Sequence, residues 1–472
     1  MFRALAMILL AITIGHRVQA AESRTVFVQL FEWPWEDVAR ECEDVLGPAG
    51  FAAVQISPPQ EHLDWPGSPW WTRYQPISYK LISRSGDETQ FKDMVRRCKA
   101  AGVDIYVDAV FNHMAGMAGG TGIGGTHFSQ YQYPGLYADS DFHHCGRNGN
   151  DDIINFSDRF EVQNCELVNL ADLKTESTSV QKKIAGYMNS LLQMGVAGFR
   201  IDAAKHIPAF DIKAIVNRLS GSPYIFQELV LGYNENIQYS EYHANGDVSD
   251  YVYPFSLAQA FLNQNLNPLS RIGLGPIASS DAIVFLTNHD LERSPSSETL
   301  SPHSNEKLYH LAQVFMLTWP YGYPQVYSGY YFSSFDQGPP VDSLKHTIPI
   351  LNAAGHCHPQ WTCEHRNPEV LNLVRFRNKT NSAFSVSHYW SNGSNRIAFA
   401  RGDLGFVVIN SSIGAMTETL SHGLPPGRYC NLLDTSYDPV RNRCAAPIVI
   451  GRGGRTTFNV PALSALVLLR TP

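Results

Sequence analysis

The chain has 472 residues, 44% of them hydrophobic and 17% charged, with a formal net charge of −7. That length exceeds one ordinary core, so two or three domains are expected, one of which can be a barrel of about 250 residues. The composition excludes a disordered chain. The mild acidity argues against nucleic acid or an anionic membrane as the main partner and leaves a neutral polymer open.

The N-terminus reads as a secretory signal over residues 1–20. Arg3 gives a basic start, Ala4 to Gly15 is apolar but too short to span a bilayer, and Val18-Gln19-Ala20 supplies small residues for cleavage. No later segment has the length of a transmembrane helix. From Thr25 to Tyr331 strand-like and helix-like runs alternate. TVFVQLF reads as a strand, WEDVARECEDVLG as a helix ending at Gly47, and FAAVQIS as a second strand stopped by Pro58-Pro59. DETQFKDMVRRCKAAG is a helix with Asp87 as its N-cap and Gly102 just past its end. VDIYVDAV is the third strand. Such alternation predicts right-handed βαβ units and a parallel sheet.

Between Met114 and Asp172 the rhythm breaks into a Gly-, Tyr-, Asp- and Asn-rich stretch. A loop that long is uncommon unless it is functional or a small domain, so 114–172 reads as a subdomain inserted after the third strand. SVQKKIAGYMNSLLQMG restores the helical period, with Val180, Ile184, Tyr187, Met188 and Leu191 on one face. VAGFRID, YIFQELV, DYVYPFS and AIVFLTN follow as strands, and QVYSG is a weaker eighth. The expected fold is α/β, a (β/α)8 barrel over 21–113 and 173–368. From 369 to 472, VLNLVRFRNKT, AFSVSHYW, RIAFARG, FVVINS and ALVLLRT read as short strands of an all-β sandwich.

Eight cysteines in an exported chain suggest four disulfides. Cys42 and Cys98 each lie on an apolar helical stripe, so a bridge between neighbouring helices is plausible. Cys145 with Cys165, Cys357 with Cys363, and Cys430 with Cys444 are the natural local pairs. No CxxC appears, which disfavours a zinc site. Asn155, Asn378, Asn392 and Asn410 each begin an N-x-S/T sequon.

Three strand-like runs end in Asp202, Glu228 and Asp290, the placement of reacting groups in a barrel enzyme. A retaining glycosidase needs two carboxyl groups ~5–5.5 Å apart, and Asp202 and Glu228 close neighbouring strands. Arg200 shares a strand face with Asp202 and can hold it ionised. The apolar run Tyr224-Ile225-Phe226 favours a protonated Glu228. Taken singly, each carboxylate could be a solvated strand-end ion pair, but Asn288-His289-Asp290 is hard to explain as packing. Trp70 and Trp71, followed by Tyr74 and Gln75, offer flat rings and an amide for sugars; a loop clamp packed on the barrel is the alternative. Asn112, Asp172 and His206 flank the insertion with oxygen ligands suited to calcium.

On VDAVFNHM, GFRIDAAKH, FQELV and FLTNHD, in that order and spacing, the chain resembles the α-amylases of glycoside hydrolase family thirteen. WWTRYQPISYKL and the CEHR around Cys363 resemble the animal-type branch. The resemblance implies Asp202 as nucleophile, Glu228 as acid/base and Asp290 as transition-state stabiliser. It implies sugar contacts from Trp70, Trp71, Tyr74, Gln75, His113, Lys205, His206 and His289, with Arg200 beside the nucleophile. Calcium would be held by Asn112 and Asp172 side chains and by the carbonyls of His206 and Gln163. Animal-type relatives bind chloride through two arginines and an asparagine. Arg200 and Asn288 match, but the second arginine falls at Tyr331, which makes chloride activation weak or absent. Leu291-Glu292-Arg293 and a Ser/Pro stretch stand where relatives carry a glycine-rich mobile loop. The implied protein is a secreted, monomeric hydrolase of starch, glycogen and maltooligosaccharides. A transglycosylase on the same scaffold and a non-catalytic carbohydrate binder are the alternatives.

Overall fold

The structure, a computed structural model, describes residues 24–232, 235–295 and 297–470; the proposed signal segment lies outside them. In chain order the barrel comprises β1 (Phe27–Leu30), α1 (Trp35–Glu41), β2 (Ala53–Ile56), α2 (Glu88–Ala100), β3 (Asp104–Ala109), α3 (Thr178–Gln193), β4 (Gly198–Ile201), α4 (Ala209–Val216), β5 (Tyr224–Gln227), β6 (Asp247–Ser249), α5 (Val252–Leu262), β7 (Ala282–Val284), α6 (Glu306–Thr318) and β8 (Tyr323–Ser328). Each strand pairs in parallel with the next, and β8 closes on β1 with Gln325 opposite Phe27. The expected barrel is therefore observed.

Asp87 caps α2 as its sequence predicts, accepting from the N–H groups of Thr89 and Gln90. Three readings need correction. The first helix does not stop at Gly47. After Glu41 it widens into a π-type turn, Cys42–Leu46, and continues through Gly47–Ala49 to Gly50, where φ is +85°. Gly47 is small because a Cβ there would meet the Ala101 carbonyl at 2.7 Å. The left-handed stop is Gly50.

DYVYPFS is not the sixth strand. That strand is Asp247–Ser249, and Val252 opens α5. The carboxylate of Asp250 accepts from the N–H groups of Val252 and Tyr253, and Pro254 falls in the first turn, where no donor is needed. VLNLVRFRNKT is likewise helical, α7 (Pro368–Lys379). Asn367 caps it, Pro368 starts it, and Val370, Leu373, Val374 and Phe376 are buried as it packs on α6.

The C-terminal part holds β9 (Ser387–Ser391), β10 (Arg396–Arg401), β11 (Gly405–Asn410), β12 (Met416–Ser421), β13 (Gly427–Tyr429), β14 (Ile448–Ile450), β15 (Arg455–Val460) and β16 (Ser464–Leu469). The antiparallel sheet β9-β10-β11-β16 faces the β12–β15 ribbon across Phe406, Val408, Leu420, Phe458 and Leu468. The alternate residues Phe399, Val407, Ile409 and Val467 point into the barrel-side core. Of the sequon asparagines, Asn155 and Asn392 are exposed. Asn410 is wholly buried, its amide donating to the carbonyls of Gly414, Val460 and Pro461.

The stretch between β3 and β4 carries a hairpin, Gly119–Thr121 with His127–Ser129, and a short helix, Arg159–Asn164. All four expected disulfides form: Cys42–Cys98, Cys145–Cys165, Cys357–Cys363 and Cys430–Cys444. Among the described residues no helix is long and apolar enough to cross a membrane.

The barrel interior is layered. Phe27, Tyr106, Tyr224, Phe226, Ile283 and Tyr323 fill its lower half. Two residues further along the strands the interior turns polar. Gln325 donates its amide to Gln55 at 2.7 Å and to Gln29 at 3.3 Å, and Asp108 and Arg200 share that level. This polar layer is the floor on which the site stands.

Candidate active site

Arg200 on β4 organises the floor. Its Nη1 donates to Asp108 Oδ1 at 2.5 Å and to Asp202 Oδ1 at 2.8 Å. Nη2 lies 2.7 Å from Glu228 Oε1 but has no aligned hydrogen-bond acceptor among the described residues. Asp202 and Glu228 directly follow β4 and β5, so the neighbouring strands deliver both carboxyl groups to one guanidinium. After Asp202 the chain turns sharply at Ala203, whose φ is +49°. That left-handed conformation costs roughly 1–2 kcal/mol in a residue with a Cβ. It aims the Ala203 N–H at Glu228 Oε2, 2.9 Å away. Tyr251 donates its hydroxyl to Glu228 Oε1 at 2.9 Å, and Asn288 donates to Tyr251 at 3.0 Å. The Asn288 side-chain oxygen accepts from the N–H groups of Asp290 and Leu291 at 3.0 and 2.8 Å, which fixes the Asp290 turn.

One guanidinium thus contacts three carboxyl groups, with Asp290 beside them in its field. Burial pushes Asp108 and Asp202 up despite Arg200. Burial and the Glu228 charge push Asp290 up to about 7, although its side chain is 44% exposed to the cleft. Burial also opposes the charge of Glu228, but Arg200, the Ala203 N–H and the Tyr251 hydroxyl together hold it below the ordinary carboxylate range. The four groups therefore share protons and titrate as a set. Burial lowers His113 to about 4 and His289 well below its ordinary value, so both imidazoles are neutral. Gln29 contacts His289 Nδ1 at 3.1 Å, leaving Nε2 as the donor that faces Asp290.

A cavity of about 380 Å³ opens above these groups. Asp202, Ala203, Glu228, His289 and Asp290 form its floor; Trp70, Trp71, Tyr74, Gln75 and His113 form one wall; Leu167, Val168 and Leu170 form the other. Trp70 donates its indole N–H to the Phe335 carbonyl at 2.9 Å, and Trp71 donates to Asp336 at 3.0 Å. Tyr74 stacks on His289 with centroids 4.8 Å apart. His113 Nε2 meets the Tyr74 carbonyl at 3.0 Å, and Gln75 accepts from the Gly116 N–H at 3.1 Å, so both brace the wall.

Lys205 and His206 do not line this cavity. Lys205 pairs with Glu235 at 3.1 Å, and His206 Nδ1 meets the Val162 carbonyl at 2.9 Å. Sequence reasoning missed Asp108, Tyr251 and the Leu167–Leu170 wall. Val168 is 77% exposed with φ +48°, an outlier for a β-branched residue, and nothing in the sequence signals it.

Residues 54–241 match the α-amylase catalytic domain, and residues 390–471 match the α-amylase C-terminal all-beta domain. An α-amylase of Thermomonospora curvata is 44% identical over 94% of this chain and 73% of its own. An α-amylase of Pecten maximus is 41% identical over 93% and 91%. The chain belongs to the α-amylase family. It also resembles the mouse pancreatic α-amylase 2a5, at 40% identity over 93% of this chain and 92% of that one, so the animal-type likeness holds. The crystal structure of α-amylase I from the earthworm Eisenia fetida superposes with a TM-score of 0.89 at 36% identity, covering 95% of this chain and 98% of that one. A Glu-to-Gln mutant of that earthworm enzyme, solved with maltohexaose, gives a TM-score of 0.86. The chain is accordingly a hydrolase of this family.

For an α-amylase the metal question falls on Asn112, Gln163, Asp172 and His206. The structure brings Asn112 to Asp172, where the Leu173 N–H donates to the Asn112 carbonyl at 2.9 Å. Asn112 Oδ1 is buried with no hydrogen-bond partner among the described residues. Asp172 is buried and accepts from His143 at 2.6 Å. Gln163 and His206 lie beside each other, the Gln163 amide being 3.5 Å from the Lys205 carbonyl. Among the described residues no group of three His, Cys, Asp or Glu could hold a metal. Any ion here would rest on one carboxylate, Asp172, together with amide and main-chain oxygens, and the orphaned Asn112 oxygen suits such a hard cation.

The chloride set does not fit. Tyr331 is 52% exposed, its ring 5.5 Å from His303, whereas Arg200 is buried. Tyr331 thus brings no charge to the floor. The inward residues of β8 are Gln325 and, two positions on, Tyr327, neither of them charged. Arg200 is engaged by three carboxylates and Asn288 by Tyr251.

Proposed function

We propose that the chain is an exported, endo-acting α-amylase that hydrolyses internal α-1,4 bonds of starch, glycogen and maltooligosaccharides with retention of configuration. The observation that carries this reading is the single guanidinium spanning Asp202 and Glu228 beneath the cavity. Two carboxyl groups so bridged suit the ~5–5.5 Å of a retaining enzyme better than the ~6.5–9.5 Å that accommodates an attacking water.

Asp202, which accepts an aligned bond from Arg200, attacks the anomeric carbon as the anion once the shared proton has left it. Glu228 protonates the departing glycosidic oxygen and then takes a proton from the water that releases the sugar. The shared proton of the floor must sit on Glu228 when substrate is bound. In the free protein the Arg200 charge, the Ala203 N–H and the Tyr251 hydroxyl favour the ionised Glu228, so substrate binding has to shift that proton from Asp202 to Glu228. Asp290, open to the cleft, opposes the positive charge that grows on the ring, and His289 Nε2 donates to a hydroxyl. Trp70 and Trp71 offer ring faces along one wall. Lys205 and His206 serve a subsite beyond the cavity.

Calcium, bound by the Asn112 and Asp172 side chains and the Gln163 and His206 carbonyls, would supply a fixed charge that ties the 114–172 insertion to the barrel. No step passes through it. Four disulfides support an oxidising destination. Chloride is not required: a several-fold rate increase on adding chloride to a chloride-free preparation would overturn that statement.

Maltoheptaose incubated with the mature protein and calcium tests the main reading. Shorter α-anomeric products are expected. Abundant longer chains would make the protein a transglycosylase, and an unchanged substrate with folded protein would make it a binder.

A further inference from the structure

The Leu291–Arg293 turn behind Asp290 carries a buried cation whose contacts reach well beyond its own turn. We propose that Arg293 is a positioning residue that locks the Asp290 turn to the tryptophan wall, so that one side chain sets both the carboxylate and the sugar platform. The inference rests on the role given to Asp290 above.

Arg293 Nη1 donates to the His289 carbonyl at 2.7 Å. That carbonyl belongs to the peptide joining His289 to Asp290, so the bond acts directly on the backbone that carries the carboxylate. Nε donates at 3.3 Å to the Phe335 carbonyl, the same oxygen that receives the Trp70 indole N–H at 2.9 Å. Nη2 donates to the Tyr330 hydroxyl at 3.0 Å. The guanidinium also stacks 4.9 Å from the Trp70 ring and 4.2 Å from Phe332.

Its own placement is fixed by Glu292, whose fully buried carboxylate lies 2.5 Å from Nη1 and also accepts from the Tyr327 hydroxyl at 2.6 Å and from His303 at 3.1 Å. These contacts need a planar fork: edge donors satisfy four oxygens while the faces stack between rings. An ammonium keeps the charge but has neither the fork nor the face. Glu228, Arg200, Arg293 and Asp108 are the charged groups acting on Asp290, with the neutral His289 beside it. Arg293 therefore contributes charge as well as geometry.

Kinetics of Arg293→Lys and Arg293→Gln on maltoheptaose, with Asp290→Asn as the reference, separate the two contributions. A misplacement of about 1 Å costs about 10²-fold in rate, so Arg293→Lys should lower kcat by about that factor and raise KM several-fold while remaining folded by circular dichroism. Arg293→Gln should add an upward shift of the acid limb of the pH profile, because the charge that keeps Asp290 ionised is gone. Tyr330→Phe, which removes one anchor only, should move kcat and KM in the same directions by less. Arg293→Lys with kcat and KM within twofold of the parent overturns the inference, as does an effect confined to melting temperature. Should Arg293→Lys fail to fold, an unchanged Tyr330→Phe overturns it. An active Asp290→Asn would instead sink the role of Asp290 itself.

Discussion

The lower and upper halves of the barrel interior lie two residues apart on the same strands and obey opposite rules. Below, Phe27 meets Phe226 and Tyr106 edge to face with centroids 5.6 and 5.7 Å apart, and burial there stabilises the fold. Above, three carboxyl groups crowd one guanidinium with Asp290 beside them, an arrangement that opposes folding and persists because the strands below hold it. The lower half makes the barrel, whereas the upper half draws on that stability to keep charges apart from water. Substitutions in the two halves should therefore separate stability from turnover.

The largest effect is expected at the top. Asp202→Asn and Glu228→Gln should each cut turnover by about 10⁴-fold or more. Asp202→Asn should keep a melting temperature equal to or above that of the parent, since it relieves charge crowding, whereas Glu228→Gln gives up an ion the fold favours and should not gain. A variant that loses its fold with its activity would erase the distinction. Phe226→Ala, one step below Glu228, should cost about 3–5 kcal/mol of stability while leaving turnover per folded molecule within a few-fold. Denaturant titration with active-site counting checks both halves of that statement.

Tyr251→Phe sharpens the comparison. It removes a donor that keeps Glu228 ionised, so the Glu228 pKa should rise and the alkaline limb of the kcat profile should move to higher pH, with turnover falling about tenfold. The smallest effect concerns stability alone. Asp290 is raised in the folded protein to about 7 from an ordinary value of about 4. Its protonated form is thus the one the fold prefers, and its contribution is lost as pH rises through that window. Asp290→Asn should therefore gain melting temperature over the parent at pH 8 but not at pH 4. A constant difference at both pH values would contradict the raised pKa.

The barrel and the three carboxylates were legible because strand runs and helical stripes have different periods, and because the charges sit where apolar runs end. Legibility failed where local pattern and tertiary need diverged. DYVYPFS alternates like a strand, yet Asp250 caps a helix there, and the misreading hid Tyr251. VLNLVRFRNKT is rich in strand formers, but Asn367-Pro368 starts a helix that α6 buries. At Tyr331, just past β8, the resemblance gives a position but not a side-chain direction, and the exposed ring is visible only in the fold. The Leu167–Leu170 wall has no periodicity at all; only the folded loop gives it a place.

Asn410 carries a consequence for biosynthesis. Its amide nitrogen is the atom a glycan would occupy, and in the folded protein that nitrogen is spent on three carbonyls inside the C-terminal sheets. Sugar transfer and closure of the β11 edge are mutually exclusive outcomes for the same nascent chain. In a secretory pathway that modifies N-x-S/T sites, the yield of active protein therefore becomes a race, decided by whether β11 docks before the transferase arrives.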